Sequence, residues 1–113
     1  MINPSRHIFK YPLAITDRQE IEMPLHAVIR HVGMQGTTLN VWAEVDPNRP
    51  VMKHTFLIYG TGHPIEHDPD EADFIATVMD PRGLVWHVFD AGERIYSAAA
   101  AHAAAEAAQD RAP

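Results

Sequence analysis

His63 and His67 are separated by three residues, and Asp68 and Asp70 follow at once. Two imidazoles and a carboxylate could hold a divalent metal and activate a bound water for hydrolysis. On a helix this spacing would set both rings on one face. Here Pro64 separates them, and Gly60 and Gly62 precede them, so a loop would have to assemble the ligand set. The plainer expectation is a solvated acidic loop, His67 to Asp73, with His63 just ahead of it and no metal held.

The stretch just before it presents a different chemistry. Phe56 to Tyr59 is a β-rich run cut off by Gly60, Thr61 and Gly62, and the chain then passes through His63 into Pro64. A strand that ends this way displays backbone N–H groups and one imidazole at a fixed place on a sheet, and loops held by a scaffold often carry function. Successive N–H groups in such a turn could cradle a small anion. The turn is not a Walker loop, because no Gly-Lys-Ser/Thr and no helix follow it. No serine, threonine or lysine stands in a recognisable nucleophile context. Tyr59, Gly60, Thr61, Gly62 and His63 are therefore candidate binding residues, with no catalytic residue and no cofactor assigned.

Trp42 joins them by a pairing argument. Thr37 to Asp46 alternates cleanly, with Leu39, Val41, Ala43 and Val45 on one side and Asn40, Trp42, Glu44 and Asp46 on the other. The next run, Val51 to Tyr59, groups Met52, His54, Phe56 and Ile58 against Lys53, Thr55, Leu57 and Tyr59. If residues 46–50 close a hairpin between them, Trp42, Leu57 and Tyr59 form one aromatic patch beside the glycine turn. A second sheet covering that face would bury the same residues. His54 and His87 lie inside strands, beside Phe56 and Ile58 or Val85 and Phe89, and are expected to be hydrogen-bonded and structural.

These residues need strands to position them, and the chain supplies them. His7 to Pro12, Gln19 to Met23, Ala27 to Val32, Thr37 to Asp46, Val51 to Tyr59, Phe74 to Met79 and Leu84 to Phe89 all read as short strands. Gly33 to Gly36 and Asp80-Pro81-Arg82-Gly83 are turn signals between them. With no helix pattern for crossovers, the fold class is mainly β. A small antiparallel sandwich, roll or barrel of about seven strands is expected over residues 1–92. Residues 93–113 form an alanine-rich tail, expected to be a marginal helix with little to bury.

Length allows one core in this chain of 113 residues. Its formal charge of −6 and scattered arginines argue against nucleic acid as a partner. The absence of cysteine excludes disulfides and thiolate metal sites. No apolar run reaches the length of a membrane span, and no signal peptide opens the chain, so a cytoplasmic protein is expected.

Four motifs together carry a resemblance. Tyr11 to Gln19, Trp42 to Pro47, Tyr59 to Ile65 and Val85 to Phe89 resemble an uncharacterised family of small proteins from bacteriophage and prophage genomes. The likeness spans about residues 8 to 90. It matches His63 and His87, while the acidic loop and the alanine-rich tail depart from it. No activity comes with the resemblance. It implies a small accessory phage protein in the bacterial cytoplasm, binding a host protein or a small anionic, nucleotide-like ligand. The metal-dependent hydrolase is one alternative, and an oligomeric assembly component whose strand edges pair is another.

Overall fold

The computed structural model describes residues 5–93. Within them lie seven strands and no helix: β1 (His7–Leu13), β2 (Arg18–Pro24), β3 (Val28–Gln35), β4 (Thr38–Val45), β5 (Val51–Gly60), β6 (Asp73–Met79) and β7 (Val85–Glu93). They make two antiparallel sheets, ordered β1-β4-β3 and β2-β5-β7-β6. The fold is thus the expected all-β arrangement, in sandwich form. The alanine-rich tail lies outside the described residues from 94 onward. Among the described residues no helix is long and apolar enough to cross a membrane.

Alternation determines which way each sheet faces. Leu39, Val41, Ala43 and Val45 all turn inward from β4, as their spacing predicts, and each is almost fully buried. Their partners on the neighbouring strands follow by register: Tyr11 and Val32 flank Val41, and Leu13 and Met34 flank Leu39. From the second sheet Met23, Phe56, Ile58, Val78 and Val88 meet them, completing one core.

The hairpin between β4 and β5 does not form. Both edges of β4 are already occupied, by β1 and β3, so the chain leaves at Asp46 and β5 enters the other sheet between β2 and β7. Residues 46–50 are a crossover rather than a hairpin turn. Asp46 shapes it, its carboxylate accepting the Asn48 N–H at 3.0 Å and its carbonyl the Arg49 N–H at 3.0 Å.

β7 runs on to Glu93 because a bulge near Ala91 resets its register, with Phe56 opposite Asp90 and Thr55 opposite Gly92. Gly92 takes φ +81°, a backbone conformation that glycine adopts without strain. The bulge delivers Asp90 to the buried side chain of His54. His54 Nε2 lies 2.6 Å from Asp90 Oδ1, which also accepts the Gly92 N–H at 2.7 Å. A carboxylate only accepts, so the His54 proton sits on Nε2 and leaves Nδ1 buried without a partner among the described residues. Asp90→Ala would strand both donors, and a loss of about 1–3 kcal/mol is expected in urea unfolding. An unchanged midpoint would show that the pair contributes nothing.

Candidate functional site

The outward face of β5 carries Thr55, Leu57 and Tyr59, because His54, Phe56 and Ile58 turn into the core. Register then places Phe89 beside Leu57, His87 beside Tyr59, Thr77 beyond His87 and Phe74 beyond Phe89. The segment from Thr61 to Ala72 joins β5 to β6 and returns over this same face. It begins with a tight turn in which the Gly60 carbonyl accepts the His63 N–H at 3.1 Å, with Gly62 at φ +88°.

Gly60 is needed for a second reason, which is close approach. A Cβ at this position would stand 3.0 Å from His63 Cε1 and Nδ1 and 3.3 Å from the Trp86 ring. The His63 imidazole therefore lies folded over the strand end while remaining exposed. Among the described residues neither ring nitrogen of His63 has a hydrogen-bond partner.

The other two histidines of this face are held firmly. His67 Nδ1 is 2.9 Å from the Tyr59 hydroxyl, and its ring meets Phe89 edge-on at 4.8 Å and 67°. Phe89 in turn meets Tyr59 and Phe74 edge-on. His87 is bonded at both nitrogens, to the Thr61 hydroxyl at 2.8 Å and the Thr77 hydroxyl at 2.9 Å. A neutral imidazole donates at one nitrogen and accepts at the other, and a hydroxyl can match either. His87 thus ties the glycine turn to the neighbouring strand as a structural residue.

Two hollows flank His63. The larger, about 750 Å³, is lined by Thr55, Leu57 and Tyr59 below, with Asp17, Arg18, His67, Glu66 and Glu71 among its walls. The smaller, about 290 Å³, is walled by Gly60–His63, Ile65, Phe74, His87 and Phe89. Tyr59 and His63 belong to both. The two spaces are joined at one aromatic corner.

Five of the six expected binding residues, Tyr59 through His63, are brought together here. Trp42 is not. It lies on the outer face of the other sheet, opposite Lys10 and His31 in register and 5.3 Å from the His31 ring. Its separation follows from the hairpin that β4 and β5 do not make. Nor do His63, His67 and Asp68 converge: among the described residues no three His, Asp or Glu side chains are grouped to hold a metal ion.

Sequence reasoning passed over Thr77, Phe74, Asp17 and Arg18. Thr77 was in reach, because the Asp80–Gly83 turn pairs β6 with β7 and so sets it opposite His87, whereas Phe74 comes opposite Phe89 only through a bulge at Ile75. Asp17 and Arg18 arrive only because β2 pairs with β5 from the far side.

A family model described as a domain of unknown function (DUF7352) matches residues 4–98. The chain belongs to the DUF7352 family. The matched span contains all seven strands and every residue of the corner, so within this chain the site is part of the DUF7352 domain itself. No curated protein and no solved structure matches the chain.

Proposed function

We propose that this DUF7352 protein is a binding module without chemistry of its own, holding a partner protein or small ligand at the Gly60–His63 corner. One observation supports it above the others: an exposed imidazole with no hydrogen-bond partner among the described residues stands between two adjoining hollows on a rigid sheet. Side chains kept only for folding are ordinarily buried or bonded, as His54, His67 and His87 are here. The resemblance to phage and prophage proteins adds context to this proposal. The partner would be a host component met in the bacterial cytoplasm, and inhibition of host defence would suit a small accessory protein.

His63→Ala tests it. Capture of the partner from an infected bacterial lysate should fall by at least about tenfold, or 1.4 kcal/mol. The melting temperature should stay nearly unchanged, as an exposed, unbonded side chain contributes within about 0.5 kcal/mol of stability. Equal loss of both would make His63 a structural residue and remove the proposal. Gly60→Ala approaches the same point through geometry. The added methyl displaces the His63 ring, so binding should fall while the strand remains paired, which amide hydrogen exchange across β5 and β7 would report.

A further inference from the structure

We infer that the occupant of this corner is a basic segment of a partner protein, its cationic side chain in the larger hollow and a neighbouring apolar side chain in the smaller. The inference rests on the binding function proposed above and specifies its ligand.

Charge carries the first half of the argument. The larger hollow is bounded by the carboxylates of Asp17, Glu66 and Glu71 against one guanidinium, Arg18. That guanidinium is itself drawn toward Glu20, at 3.9 Å. Glu71 uses Oε1 to accept the Asp68 N–H at 3.0 Å. The carboxylates of Asp17 and Glu66 have no cationic partner among the described residues. A small anion entering here would meet three like charges, whereas an ammonium or guanidinium would be drawn in.

The floor supplies an independent observation. Thr55 is only 2% exposed, faces this hollow from β5, and its hydroxyl has no hydrogen-bond partner among the described residues. An unsatisfied buried hydroxyl is a standing penalty that an N–H donor from above would remove. Leu57 and Tyr59 beside it offer an apolar wall to the aliphatic stem of a lysine or arginine.

The smaller hollow complements it. Tyr59, Phe74, Phe89 and Ile65 give it an apolar, largely aromatic lining, and Phe74 and Ile65 remain more than half exposed at its mouth. His87, though polar, has both nitrogens already bonded and demands nothing of a ligand. With Tyr59 and His63 forming the shared wall, one extended segment can fill both spaces. A lone nucleotide would place its phosphates among the carboxylates.

The test titrates the full-length protein with N-acetyl-Leu-Gly-Arg-amide, N-acetyl-Leu-Gly-Glu-amide and AMP, following backbone amides by NMR. The arginine peptide should shift Thr55, Tyr59, His63 and Glu66–Glu71 saturably, at least about tenfold more tightly than the other two probes. The double variant Glu66→Gln/Glu71→Gln keeps an acceptor for the Asp68 N–H and should weaken that binding about tenfold. Thr55→Val should weaken it several-fold while leaving the melting temperature unchanged or raised, since it removes an unsatisfied hydroxyl. AMP or the glutamate peptide binding as well as the arginine peptide would overturn the inference, yet leave the corner as a binding site. Equal affinity in the double variant would overturn it too. If no probe binds while His63→Ala still loses the lysate partner, the ligand assignment falls and the binding function stands.

Discussion

Phe56→Ala should destabilise this protein more than any other single truncation, by about 3–5 kcal/mol. Phe56 is the largest of the fully buried side chains, at 0% exposure. It projects from β5, which is paired on both sides, into the middle of the core, and stacks on the His54 ring at 4.9 Å and 15°. Removing the ring leaves a void that two hydrogen-bonded sheets cannot collapse to fill. A domain of this size has about 5–15 kcal/mol in total, so the variant should be close to unfolding at 37 °C. Urea denaturation would show it as a lower midpoint at an unchanged slope. The half-exposed Phe74→Ala serves as the contrast: its stability should move little, while the smaller hollow loses a wall. A loss under about 1 kcal/mol for Phe56→Ala would mean that the sheets do not pack around this ring.

Asp80 should govern how the fold fails in acid. Its buried carboxylate accepts four hydrogen bonds: from Trp86 Nε1 at 3.0 Å, Arg82 Nη2 at 2.9 Å, and the N–H groups of Arg82 and Leu84 at 2.9 and 3.1 Å. These donors, the Trp86 indole above all, outweigh the opposing effect of burial and hold its pKa down at about 2, below the ordinary 3.8. A carboxyl whose folded pKa is depressed stays ionised in the native state while the unfolded chain takes up a proton. The stability it contributes is therefore complete above pH 4, and it drains away as pH falls toward 2. Asp80→Asn keeps the shape but turns one acceptor into a donor facing other donors. At pH 7 the variant should melt well below the wild type, and the gap should narrow between pH 4 and pH 2. A gap independent of pH would show that the charge is not what the turn depends on.

The same residue shows where sequence reasoning stops. Asp80-Pro81-Arg82-Gly83 is readable as a turn, since aspartate, proline and glycine each suit their positions, and Gly83 indeed takes φ +84°. Nothing in those residues says that Trp86, three places further on, will swing its indole back to the aspartate. His54 and His87 follow a similar pattern. Their burial in strands implies hydrogen bonding, and both are bonded, but Asp90 as one partner depends on a bulge, and Thr61 and Thr77 depend on which strands meet. Trp42 marks the failure. Adjacency in sequence suggested a hairpin, and the occupied edges of β4 prevented it.

β3 runs through Gly33 to Gln35, past the turn expected to begin at Gly33, but local chemistry in this chain was enough for the strands, their inward and outward faces, the Asp80–Gly83 turn and the exposed glycine-framed histidine. All of these depend on period-two alternation and on the backbone preferences of glycine and proline, which act over a few residues. Which strands become neighbours is decided by competition for free sheet edges and by closure of one core, and that is settled only when distant segments pack. The groove between Asp17 on one connection and Glu71 on another, with a threonine beneath whose hydroxyl has no partner among the described residues, exists only at that level. Residues far apart in the chain meet there because β2 and β7 both border β5.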